Sequence, residues 1–211
     1  MVYEHLFSEK DYRSNTTSIQ YSLRFTYICI YQDFQDMYSK FYPHKRYKYT
    51  LEFLKEVVPE GAKILDLGVS NPFSEIMEKE GYVVENTKGE DLDEDFSSVQ
   101  ESDADVVTAF EIFEHLLAPF NVLKEIKAKK LVVTVPLRLW FATAYRSKTD
   151  PWDRHYHEFE DWQFDWLLEK SGWEIKKTKK WTNPSRPPIA PRPLLRHLIP
   201  RYYAVYAERK A

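Results

Sequence analysis

The stretch Asp105-Val106-Val107-Thr108-Ala109-Phe110-Glu111-Ile112-Phe113-Glu114-His115 constrains the chain more than any other. Its first five residues are β-branched, brief and flanked by charge, which suits a strand buried on both faces of a parallel sheet. Ligands of open α/β sheets bind in the crevice outside the carboxyl ends of the strands, so chemistry is expected where this run turns polar. Glu111, Glu114 and His115 stand there. Their i, i+3, i+4 spacing puts two carboxylates and an imidazole on one side of a helical turn. Acids in the first turn of a helix would also favour its dipole, which accounts for the two glutamates better than for the histidine.

Similar runs recur on either side. Lys63-Ile64-Leu65-Asp66-Leu67 reads as a buried strand closed by Gly68. Val69 to Phe73 forms a tight turn into a short amphipathic helix, with Pro72 in the first turn and Ser70 or Asn71 able to cap it. Gly81 ends that helix, Tyr82 to Asn86 makes a second strand, and an acidic loop follows from Glu90 to Asp95. Strand, helix and strand in this order form a right-handed βαβ unit. Beyond Asp105 come a helix from Ala118 or Pro119 to Ala128, a strand from Leu131 to Pro136, and a helix from Phe159 to Lys170 ended by Gly172. Strands at Trp173 to Ile175 and Tyr202 to Glu208 complete the series.

The expected architecture is α/β: a Rossmann-like, mainly parallel sheet of about six or seven strands, the last antiparallel, with helices on both faces. A single domain spans residues 1–211, with an α-helical, aromatic extension at 1–58 and the core at 60–211. In the extension, Leu51, Leu54, Val57 and Val58 repeat at helical spacing before Pro59 and Gly61, and the aromatics from Ile19 to Tyr42 supply core or lie over the site. A proline-rich excursion at 183–200, with Pro184, Pro187, Pro188, Pro191 and Pro193, is expected to lack regular structure. The loop from Leu137 to Glu158 carries Trp140, Trp152, His155 and His157, and a loop that long in a compact domain is usually functional.

A formal charge of −3 over 211 residues gives the molecule no general attraction to nucleic acid or anionic membrane, so neither is expected as a partner. A basic bias from Lys176 to Arg201 reads as a solvated surface or a surface for an anionic substrate. The single cysteine, Cys29, excludes an internal disulfide and any multi-cysteine zinc site. The longest apolar run, Leu131 to Tyr145, is too short to span a bilayer. The chain is therefore read as soluble and cytoplasmic; its oligomeric state is not legible.

Taken in order, ILDLG at 64–68, DVVTAFEIFEHL at 105–116, VVTVP at 132–136 and HEF with LLEKSGWEI between His157 and Ile175 resemble the class I S-adenosylmethionine-dependent methyltransferases, in the branch with a short TAFEVLEH strand. The resemblance covers roughly residues 45 to 209. It implies a seven-stranded sheet whose last strand is inserted between the two before it, with S-adenosyl-L-methionine as cofactor. It also implies that Asp66, Gly68, Ser70, Asn71, Glu90, Asp93, Phe110 and Glu111 line the cofactor, Gly68 because backbone must approach closely there. Two departures stand out. Gly68 is followed by Val69, Ser70, Asn71 and Pro72 instead of further glycines, and the position of the ribose-binding acid falls on Lys88. The segment between the second strand and Asp105 is also so short that the usual helix and strand there should be missing or reduced.

The implied acceptor is a small molecule, with O-methylation favoured. An oxygen acceptor must lose a proton, and His115, His155 and His157 are the candidate bases. Small-RNA 2′-O-methyltransferases and ubiquinone-pathway O-methyltransferases look similar at the ExxEH turn. That similarity implies a divalent cation on Glu111, Glu114 and His115, with His155 or His157. The alternative is a binding module that keeps the fold and has lost the cofactor, motivated by Val69 to Pro72 and by Lys88.

Overall fold

A computed structural model describes residues 44–150, 153–183 and 189–210. The sheet belongs to the compact unit His44–Ala211. The aromatic segment Ile19 to Tyr42, Trp152 and the prolines at 184, 187 and 188 lie outside the described residues.

In chain order the elements are α1 (His44–Val57), β1 (Lys63–Asp66), α2 (Pro72–Lys79), β2 (Val83–Asn86), α3 (Ser97–Glu101) and β3 (Val106–Phe110). A single 3-10 turn at Phe113–His115 leads to α4 (Pro119–Glu125) and β4 (Lys130–Pro136). Then come α5 (Asp161–Lys170), β5 (Trp173–Trp181), α6 (Pro191–Leu198) and β6 (Tyr202–Arg209). The six strands form one sheet in the order β2-β1-β3-β4-β6-β5. β1 is parallel to β2 and β3, and β3 to β4, while β6 runs antiparallel between β4 and β5. The fold is thus Rossmann-like, with the last strand inserted as expected. Between β2 and β3 the chain makes only the five-residue α3, so the sheet has six strands and β2 is its edge.

Side-chain alternation divides the sheet's two faces. Leu65, Val107, Ala109, Leu131, Val133, Val135, Tyr203 and Val205 join Val122, Leu123, Ile126, Phe164 and Leu168 of α4 and α5 in one apolar core. On the opposite face lie Asp66, Thr108 and Phe110, packed against α1 and α2. Phe73 of α2 meets Phe110 edge-on at 5.2 Å and Tyr47 of α1 at 4.8 Å, and Tyr49 of α1 meets Trp181 at 5.9 Å. Phe53 and Leu54 of α1 are fully buried, which gives that helix its place in the domain core.

Two expectations need correcting. The excursion at 183–200 contains a regular helix, α6, and Pro191 stands at its start. Prolines in a first turn remove N–H groups that have no intrahelical acceptor, so they permit a helix there while forbidding one further along. Glu111, in turn, is not on a helical turn with Glu114 and His115. Its backbone is left-handed, at φ 60°, and only Phe113–His115 coil.

The C-terminal strand is fastened by Arg209. Its guanidinium lies 4.1 Å from the Trp173 ring centroid and donates to the carbonyls of Ser171 (3.1 Å), Leu123 (3.2 Å) and Ile126. It thereby supplies donors to the carbonyl end of α4, where helical partners run out. Arg209→Lys keeps the charge and loses the planar fork. The expected cost is about 1–3 kcal/mol, read as a lower urea midpoint at unchanged slope.

Candidate active site at the carboxyl ends of β1 and β3

Asp66, at the end of β1, is buried at 2% exposure, and an isolated carboxylate there would be costly. Three elements supply donors: Thr108 of β3 (2.6 Å), Ser74 of α2 (3.3 Å) and Asn86 of β2 (3.2 Å). Asn86 Nδ2 also reaches the carbonyls of Asp66 and Gly68 at 3.4 and 3.2 Å. Asp66 therefore lies beneath the turn and braces it. Burial, only partly offset by these donors, raises its carboxyl to about pKa 6.

Above this brace the chain reverses at Gly68, with φ 104° and its N–H donated to Thr87 Oγ1 at 2.8 Å. A Cβ on Gly68 would meet Ile112 Cδ1 at 3.3 Å and nothing else within 4 Å, so the backbone face is bare apart from the residue that follows Glu111. The side chains after Gly68 point elsewhere. Val69 is 51% exposed, Asn71 folds back to accept from the N–H groups of Phe73 and Ser74 as the α2 cap, and Phe73 is buried among rings. Ser70 is exposed.

The acidic loop is largely engaged with itself and its neighbours. Glu90 accepts from the Lys88 N–H (2.7 Å) and from Ser98 Oγ. Asp93 accepts from the N–H groups of Leu117 and Ala118, both at 2.7 Å, and so holds the entry to α4.

The end of β3 is different in kind, because some of its buried side-chain atoms lack partners among the described residues. Glu111 donates its N–H to the Thr134 carbonyl at 2.9 Å, and its left-handed backbone sends the side chain toward Arg46 of α1, 3.7 Å away. Such a conformation in a residue other than glycine costs about 1–3 kcal/mol and persists only where the surroundings impose it. Among the described residues, Glu111 Oε1, Glu114 Oε2 and His155 Nδ1 are buried without a hydrogen-bond partner. Glu114, His115 and His155 bring one ligand-capable atom each within 4.8 Å of one another. The two imidazoles cross edge-to-face at 4.7 Å, and Tyr145 packs on His155 at 4.6 Å.

Charge in this cluster is set by burial. Glu111 is raised by burial and opposed by Arg46; Glu114 is raised well above the usual range, by burial and then by the Glu111 charge. Burial also lowers His115, and it takes His155 down to about 4, the neighbouring His115 adding to the effect. His115 Nδ1 faces the Arg154 carbonyl at 3.1 Å, so its proton sits there and Nε2 is left with a lone pair toward Glu114, 3.8 Å away. His157 is placed apart from this pair: its Nε2 is tied to the Leu117 carbonyl at 3.2 Å and its ring stacks on Phe159.

Several residues here escape a reading of the sequence. Thr108 is accessible in principle, since alternation along β3 puts it on the Asp66 face two residues before Phe110. Asn86 and Ile112 act through the third dimension alone. Arg46 precedes the apolar repeat of α1 and nothing local marks it.

No protein-family model matches the sequence, and no curated protein is similar enough to count as a relative. Solved structures do share its architecture. One is the 1,6-didemethyltoxoflavin-N1-methyltransferase of Burkholderia thailandensis, with bound 1,6-didemethyltoxoflavin and S-adenosylhomocysteine. It is 15% identical at TM-score 0.56, the match covering 100% of this chain and 94% of that one. Another is an S-adenosylmethionine-dependent methyltransferase from Mesorhizobium loti, 13% identical at TM-score 0.50, covering 75% and 96% respectively. The chain has the fold of the S-adenosylmethionine-dependent methyltransferases.

Asp66 generates a pH dependence of stability. Its folded pKa is raised from 3.8 to about 6, so the native state holds the proton more tightly than the unfolded chain does. Its contribution is most favourable below about pH 4, declines as pH rises to about 6, and is flat above, a change on the order of 3 kcal/mol. Asp66→Asn, which mimics the protonated acid, should remove this component from urea midpoints measured between pH 4 and 7. An unchanged wild-type slope in the variant would refute the assignment.

Proposed function

We propose that the chain is an S-adenosylmethionine-dependent methyltransferase acting on a hydroxyl of a small molecule. The observation that carries this reading is the bare backbone at Gly68 meeting Ile112, beside the buried, unpartnered Glu111, Glu114 and His155. A close-approach surface and a polar cluster lie side by side at the carboxyl ends of two neighbouring central strands, where ligands of such sheets bind. The Burkholderia enzyme, which holds a small acceptor and S-adenosylhomocysteine, lends the reading support from a shared fold.

The residues present fit the cofactor. Val69 is half exposed beside Gly68, and Glu111 Oε1 is a buried acceptor without a partner among the described residues. Gly68, Ser70, Asn71, Glu90, Asp93, Phe110 and Glu111 would hold it, Glu90 and Asp93 after exchanging a present partner. When bound it supplies a methyl group on a sulfonium. The chain's own part is positioning in a site shielded from water, where alignment at near-attack distance provides most of the acceleration. Tyr145 packs on His155 and would help shield an acceptor there.

Removing the acceptor's proton falls to the cluster. A histidine taken down to about pKa 4 is neutral at physiological pH, which suits a ligand better than a base. Glu114, His115 and His155, with Glu111 beside them, would hold a divalent cation whose chemistry is to lower the pKa of a bound hydroxyl. His157, tied to Leu117, would orient the acceptor.

Thermal shift tests the cofactor. S-adenosylhomocysteine at a hundred times its Kd should stabilise by about 2.7 kcal/mol, a rise of roughly 5–10 °C for a domain of this size. No shift at millimolar S-adenosylmethionine or S-adenosylhomocysteine would leave a binding module of methyltransferase fold. The cation is tested separately by calorimetry with Mg²⁺, Mn²⁺ and Zn²⁺. Wild type should give heat that Glu114→Gln abolishes while its response to S-adenosylhomocysteine is kept, and an absence of heat in the wild type removes the cation.

A further inference from the structure

The basic bias from Lys176 to Arg201 resolves into two parts. The lysines of β5 are neutralised: Lys176 pairs with Glu174, Lys177 and Lys179 with Glu56 of α1, and Lys180 with Asp161 of α5. Arg192 and Arg196 of α6 form no ion pair among the described residues, although long guanidinium side chains readily find one where an acid is near. None is near in sequence, since the chain has no acidic residue between Glu174 and Glu208.

α6 is also unusual in its apolar residues. Pro191, Leu194, Leu195 and Leu198 fall at i, i+3, i+4 and i+7, a single stripe along the helix, and Arg192 and Arg196 flank it one turn apart. A stripe like this normally faces a core. Here no residue of the helix is buried: Leu194 is 45% and Leu198 67% exposed, and Ile189, just before the helix, is 90% exposed. Pro191 and Pro193 at one end and Pro200 at the other stiffen the segment, and the Ile199 N–H closes its last turn on the Leu195 carbonyl at 2.8 Å. The chain thus holds a short amphipathic helix whose apolar stripe is exposed at Pro191, Leu194 and Leu198 and half-buried at Leu195, with, among the described residues, two cations beside it that form no ion pair.

We propose that α6 is an interfacial helix that docks the chain on an anionic lipid bilayer, with Ile189, Leu194 and Leu198 entering the acyl boundary and Arg192 and Arg196 meeting headgroup phosphates. Charge complementarity selects this occupant. Apolar residues at the interface give an affinity that is reversible for so short a helix, and guanidinium groups at its flank add attraction to anionic headgroups only. The overall charge of −3 gives the molecule no general attraction to such a surface, so the attraction must be local.

The test is sedimentation of the full chain with vesicles of phosphatidylglycerol mixed into phosphatidylcholine, against vesicles of phosphatidylcholine alone. Binding is expected to the first only, and to weaken as salt shortens the Debye length. Each cation near an anionic surface is worth about a fivefold factor, so Arg192→Glu with Arg196→Glu should lower partitioning at least about 25-fold. Leu194→Asp with Leu198→Asp should abolish it. Neither pair removes a buried contact, so both variants should melt with the wild type. Failure of the wild type to sediment with the anionic vesicles at low salt overturns the proposal, as does binding that both double variants retain. A concentration-dependent dimer that Leu198→Asp dissolves, without vesicle binding, would assign the stripe to a second copy of the chain instead.

Discussion

Everything at the carboxyl edge of the sheet depends on one buried carboxylate. Asp66 receives donors from β3, α2 and β2, so the ends of the first three strands and the start of α2 are located relative to each other by a single side chain. A network of this kind is high-stakes in a low-dielectric interior. Fully partnered, it fixes one geometry; with a donor missing, the whole desolvation cost is exposed. The reversal at Gly68 sits directly on it, because Asn86 bonds both the Asp66 carboxylate and the Gly68 carbonyl while Thr87 takes the Gly68 N–H.

The end of β3 handles the same burial differently. Glu111, Glu114 and His155 each keep a polar atom without a donor or acceptor, and Glu111 adds a strained backbone. Core packing alone would select against all of these, since apolar residues of similar shape would avoid the desolvation cost. Unpartnered buried polar groups beside a strained residue, at the carboxyl edge where open α/β sheets bind ligands, are what marks this end of the sheet as the candidate site. The contrast with Asp66, only one strand away, is between an acid whose buried oxygens receive donors from three elements and acids that keep an oxygen without a partner among the described residues.

The sheet is legible in the sequence because its strands are brief β-branched runs ended by glycine or proline, and burial on both faces leaves little else such runs can be. The insertion of β6 between β4 and β5 comes from resemblance and not from periodicity, since Tyr202 to Arg209 is buried nearly throughout and shows no clean alternation. α6 escapes a reading that weighs proline content without proline position. The ExxEH spacing looks helical, and the break comes from φ at Glu111, which no composition rule foresees. Of the site, the residues that close up locally, Gly68 and the Glu114–His115 pair, are readable from the chain alone. The partners arriving from afar, Arg46 from α1 and His155 from the long loop, depend on tertiary packing, and only the histidine announces itself by type.

Arg46 shows how far the site's charge depends on that packing. Its guanidinium lies over the rings of Tyr47 and Tyr202, 5.7 and 5.9 Å from their centroids, which keeps it beside Glu111 without a second acid. Arg46 opposes the rise that burial imposes on the Glu111 carboxyl, while burial and then the Glu111 charge push the Glu114 carboxyl well above its ordinary range. The first helix of the domain thus acts electrostatically on the carboxylates at the end of the third strand, while its apolar stripe holds it to the sheet.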